Sequence, residues 1–151
     1  MNAIGDVVWP ANYLGGRLVT LWPICVGLVI ELFFVRWLTR FGWGKAILAD
    51  ILMNAVSTLV GSFLIVLAGL AWEFTGGIIV NFSLGLGTFN PITWAATFVI
   101  AVFINAALES AVLRYIFKQR PFNRLFWWLS VANAFSVAVA LVGIFLYPPR
   151  T

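Results

Sequence analysis

The chain has 151 residues, 63% of them hydrophobic and only 9% charged, with mean hydropathy +1.04 and formal net charge +4. Too few polar side chains remain to cover a water-facing surface, which excludes a soluble globular fold, a disordered chain and a disulfide-stapled scaffold. The composition is that of an integral membrane protein.

Residues 1–17 read as an outer, interfacial segment. They contain Asp6 and no Lys or Arg before Arg17, so the positive start and the small-residue cleavage site of a secretory signal are missing. The first apolar run is therefore expected to be retained. Four runs are long enough to cross a hydrocarbon layer of about 30 Å, which takes about 20 helical residues. They cover residues 18–38, 46–72, 92–117 and 125–147. Pro23 falls near the start of the first, where a lost amide donor costs little. Asn90 and Pro91 form a cap and a first helical residue for the third, and Pro148 and Pro149 stop the fourth. The expected fold is all-α, a single membrane domain of four transmembrane helices arranged as two tandem hairpins, 18–72 and 92–147. An apolar, glycine-rich outer loop over 73–91 joins them, and 148–151 form a tail.

Charge sets the expected orientation. One hairpin tip holds Arg36, Arg40 and Lys45, the other Arg114, Lys118, Arg120 and Arg124, while residues 73–90 hold no Lys or Arg. The positive-inside rule puts both tips in the cytoplasm, against lipid headgroups, and both termini outside. Aromatic residues form two matching belts. Trp37, Trp43, Tyr115, Trp127 and Trp128 lie near the tips; Trp9, Tyr13, Trp22, Trp72, Trp94 and Tyr147 lie near the opposite interface. The segment from Thr75 to Phe89 is too short to span, and its glycines argue against a stable helix. An interfacial segment or a small hairpin is expected there, with a re-entrant element as the alternative.

The halves share a frame. Glu31 and Arg36 precede Asn54 and Ser57 in the first; Glu109 and Arg114 precede Asn133 and Ser136 in the second. The Glu-to-Asn separation is 23 residues in one and 24 in the other, and Val60/Val139, Ile65/Ile144 and Leu67/Leu146 also match. The expectation is a parallel internal repeat, related by a pseudo-twofold axis along the membrane normal, not the inverted repeat of many carriers.

A helix rise of 1.5 Å puts Glu31, Glu109 and Asp50 about 7 Å below the basic end, and Asn54 and Asn133 about 13 Å below it. Asn105 lies one turn deeper than Glu109 on the same face. Three carboxylates and three amides thus gather in one half of the bilayer, a candidate site for a cation or proton. A carboxylate at such depth costs about 2.5–3.5 kcal/mol and should face the bundle interior. The plainer reading is that each glutamate pairs with an arginine or lysine of another helix. Ser57 and Gly61 continue a stripe from Asn54, and Ser136, Ala140 and Gly143 continue one from Asn133. These small residues are expected to pack the second helix on the fourth.

The chain has no histidine and one cysteine, Cys25, within an apolar run. No metal site, disulfide or cofactor is expected, and no enzyme, because catalytic groups are wanting. The pI near 9.9 does not point to nucleic acid, since the basic residues cap apolar runs. The expected function is a non-catalytic accessory or assembly subunit of a membrane complex, partnered by lipid and by other subunits or itself. The alternative is a homo-oligomeric transporter or channel for ions, protons or a small solute. Compact loops favour a bacterial inner membrane.

Overall fold

The computed structural model describes residues 21–85, 91–119 and 121–146, and the described residues are helical with short connections and no strand. Four long helices dominate: α1 (Leu21–Thr39), α2 (Trp43–Trp72), α4 (Pro91–Tyr115) and α5 (Phe122–Leu146). Between α2 and α4 lie a π-helical turn (Glu73–Gly77) and a short α3 (Ile78–Leu84). Pro91 takes the first helical position of α4, where its missing N–H leaves nothing unpaired.

Residues 73–84 depart from the expected loop, and the reason is local. The segment continues α2 without a break, so no new helix has to be nucleated. Thr75 Oγ1 donates to the carbonyls of Ala71 and Trp72 at 2.7 and 3.3 Å, which widens the turn. Gly76 lets the Trp72 ring fold over the backbone; a Cβ there would lie 2.6 Å from the ring. Glycine here makes room for side chains lying along the helix and does not interrupt it. Gly85 does end it, in the left-handed conformation at φ 62°.

From Trp43 to Leu84 the chain is one apolar helical rod of 42 residues, about 63 Å at 1.5 Å per residue. It and the segment Ala95–Tyr115 are both long and apolar enough to cross a membrane. The large side chains turned outward are apolar: Phe63 is 76% exposed and Phe82 90%.

Packing runs around a ring: α1 on α2, α2 on α4, α4 on α5, and α5 on α1. The helices α2 and α4 are antiparallel, with Trp72 beside Thr93 and Gly61 beside Asn105. So are α1 and α5, with Gly27 beside Ser136 and Trp37 beside Trp128. The apolar core comprises Val35, Ala49, Met53, Ala106, Val112, Leu113, Leu125 and Leu129, all toward the basic tips. On α2 the buried positions are Ala46, Ala49, Asp50, Met53, Ser57 and Gly61, a helical stripe confined to its first two thirds.

The two tips are built alike. α1 ends at a left-handed Arg40 and α4 is followed by a left-handed Lys118, both at φ 58°. The Arg36 guanidinium lies 4.0 Å from the Trp43 ring centroid, and that of Arg114 lies 5.7 Å from Phe122. Trp37 meets Trp128 edge to face at 4.8 Å, and Phe41 meets Phe117 at 5.8 Å, so aromatic contacts join the hairpins at this end.

Leu129, fully buried in this core, should be costly to truncate. Leu129→Ala is expected to destabilise the chain by about 2–5 kcal/mol, measured by reversible denaturant titration in mixed micelles.

Candidate functional site

Among the residues of the apolar core, three carboxylates point inward. Glu31 on α1 and Asp50 on α2 are each 4% exposed, and Glu109 on α4 is 1% exposed. They act on one another electrostatically: Asp50 feels Glu31, and Glu109 feels both. Among the described residues no lysine or arginine pairs with any of the three. The basic side chains are engaged elsewhere. Arg36 lies over Trp43, Lys45 over Phe41, and Arg114 over Tyr115 and Phe122. Arg40, Lys45, Arg114, Lys118 and Arg124 are exposed at the tips, and Arg120 lies outside the described residues. The pairing of glutamates with basic residues across helices is thus not what the fold uses.

Neutral donors take that place. Asn133 Nδ2 on α5 donates to Glu109 Oε2 at 2.7 Å and to the Leu129 carbonyl at 3.0 Å. Ser136 Oγ on α5 donates to Glu31 Oε1 at 2.8 Å. Ser57 Oγ donates to the Asn54 carbonyl at 3.2 Å. Glu109 thus meets the asparagine of its own hairpin, and Glu31 the serine of the other. Asn54 Nδ2 repeats the backbone contact of Asn133, donating to the Asp50 carbonyl at 3.0 Å.

The small-residue stripes serve different partners from those expected. Gly61 faces α4, where a Cβ would come within 3.0 Å of Asn105 Oδ1 and 3.7 Å of Leu108. Ser136 faces α1, 3.4 Å from where a Cβ on Gly27 would lie. α2 packs chiefly on α4 and α5 on α1, so the two stripes face different helices. A small-residue stripe encodes close approach without naming the helix that approaches. Ala140 and Gly143 continue α5, but their side-chain environment lies outside the described residues.

Several buried oxygens in this region accept or donate nothing: Glu31 Oε2, Asp50 Oδ1, Asn105 Oδ1 and Ser110 Oγ. Ser110 is fully buried and went unnoticed in the sequence, where a serine beside Glu109 carries no periodic signal. Glu73, in the π-helical turn, also holds a buried Oε1 without a partner. Among the described residues no three acidic or thiol side chains converge closely enough to hold a metal ion together.

The close α2–α4 contact should tolerate no bulk. Gly61→Leu is expected to lower stability by about 1–3 kcal/mol through overpacking. Asn133→Leu should cost a similar amount, about 1–3 kcal/mol, by stranding the Glu109 carboxylate. Thermal melts in detergent, followed by circular dichroism, check both; unchanged melting of either variant removes that contact from the account. Compared with protein-family models, curated proteins and solved structures, the chain matches none.

Proposed function

We propose that the chain is a small membrane protein of four spans that moves protons through its acidic core, working as a homo-oligomer. The observation that carries this reading is the set of three buried carboxylates with no cation beside them among the described residues. Charge in hydrocarbon is costly, and a scaffold would have neutralised it with an arginine or replaced it with apolar residues. Of the basic residues at the tips, Arg36, Lys45 and Arg114 lie on aromatic rings, and Arg40, Lys118 and Arg124 are exposed. Carboxylates kept without a counter-ion can take up and release a positive charge. The lack of a converging metal-ligand set makes the proton the better fit.

In this reading all four long helices cross the bilayer, with the basic tips in the cytoplasm and both termini outside. The positive-inside rule supports that orientation, and compact connections favour a bacterial inner membrane. The two hairpins are repeats of one unit. Support comes from the matched left-handed Arg40 and Lys118, the matched arginine–aromatic contacts, and the matched asparagine contacts to the carbonyl four residues earlier.

A second reading, an accessory subunit of a larger membrane complex, is favoured by the far part of the α2 rod. Leu59, Phe63, Phe74 and Phe82 are exposed there, and between Gly61 and Leu84 only Gly77 is buried. Such a surface can seat another membrane helix.

Reconstituted vesicles with an internal pH-sensitive dye separate the two. Proton flux is expected in the unmodified protein, falling to the level of empty vesicles in Glu31→Gln with the helical spectrum retained. Equal flux in both proteins would remove the transport reading. A stoichiometric second polypeptide, seen by intact-mass analysis after mild purification from native membranes, would favour the accessory reading. Topology is checked separately with Cys25→Ser as background. A cysteine placed by Lys118→Cys should react with an impermeant maleimide only after the membrane is opened, and one placed by Ser83→Cys should react without opening.

A further inference from the structure

The two glutamates occupy corresponding places, but their surroundings differ in one respect. At Glu109, Oε2 receives Asn133 at 2.7 Å, and neither of its oxygens is buried without a partner. At Glu31 only Oε1 is held, by Ser136 at 2.8 Å, while Oε2 is buried with no partner. The residue four before the asparagine also differs. In the second hairpin it is Leu129, fully buried in the apolar core. In the first it is Asp50, whose Oδ1 is buried and likewise unpartnered. Both unpartnered carboxylate oxygens of the bundle interior therefore belong to one half, on α1 and α2.

We infer that Glu31 and Asp50 form the exchangeable site and hold one proton between them, while Glu109 is a positioning residue that stays in place. This deepens the proton-moving reading above and rests on it. A hydronium ion gives its proton to a lone pair of one of the two carboxylates, an O–H bond forms, water leaves, and the pair drops from two negative charges to one. The new hydroxyl is a donor in a place that holds acceptors without donors. Release reverses the step. The groups facing the pair are few. Glu109 faces it from α4, Asn54 from α2, and Ser136 from α5. No lysine, arginine or histidine among the described residues acts on it.

Infrared difference spectra of the full chain in lipid vesicles, recorded as pH is stepped, read the C=O band of protonated carboxyls. The unmodified protein is expected to gain one such band on acidification and lose it on alkalinisation. Glu31→Gln and Asp50→Asn should both abolish it, because each removes the like charge that favours sharing the proton. Glu109→Gln should keep it. A band that survives the first two and vanishes in Glu109→Gln overturns the assignment to this half but leaves proton movement standing. Absence of any titrating band in the unmodified protein overturns both. Loss of the band on adding sodium at constant pH makes the exchangeable ion a metal cation and also overturns the inference. Labelling offers a check that needs no substitution. The chain has only two aspartates, Asp6 and Asp50, so carbon-13 aspartate should shift the band when Asp50 holds the proton. Carbon-13 glutamate should shift it when Glu31 does. A band moved by neither label overturns the assignment.

Discussion

Three carboxylates sit inside an apolar bundle with no cation among the described residues to balance them, and the rest of the structure is arranged around that cost. An ionised carboxylate taken out of water without a charged partner is costly. Amides and hydroxyls reduce the penalty by donating to the carboxylates, but they cannot cancel charge. The apolar core around Leu129, Met53 and Leu113 supplies the packing that holds these groups inward. Gly27 on α1 brings that backbone close enough to α5 for Ser136 to reach Glu31.

Ser136 of the second hairpin donates to Glu31 of the first, which ties the two halves together through an acidic group itself. A glutamate that takes its serine from the other hairpin cannot keep its contacts if the hairpins slide apart. The aromatic contacts at the tips, Trp37 with Trp128 and Phe41 with Phe117, fix the same relation from outside. The polar centre is thus both the least comfortable part of the bundle and one of the places where its halves are joined.

Much of this was legible in the residues alone. The distribution of Lys and Arg located both hairpin tips, and the depth of Glu31, Asp50 and Glu109 below them placed those groups in one layer. What stayed hidden was which surfaces meet. The stripes after Asn54 and Asn133 look equivalent, and only packing shows that Gly61 faces Asn105 while Ser136 faces Gly27. Glycine propensity misread residues 73–84, because a helix already under way needs no nucleus and Gly76 answers to the Trp72 ring. The Asp50/Leu129 difference stood in plain view, yet its meaning required knowing that Asn133 donates to one glutamate and Glu31 Oε2 has no partner.

The central claim is that the buried acidic core carries an exchangeable proton. The most direct measurement is covalent labelling of native membranes with a hydrophobic carbodiimide, which adds to protonated carboxyls within the lipid phase, followed by peptide mapping. The account predicts an adduct on Glu31 or Asp50 at neutral pH that fades as pH is raised, with no adduct on Glu109. Labelling that is independent of pH, or that appears at none of these carboxyls, would contradict it.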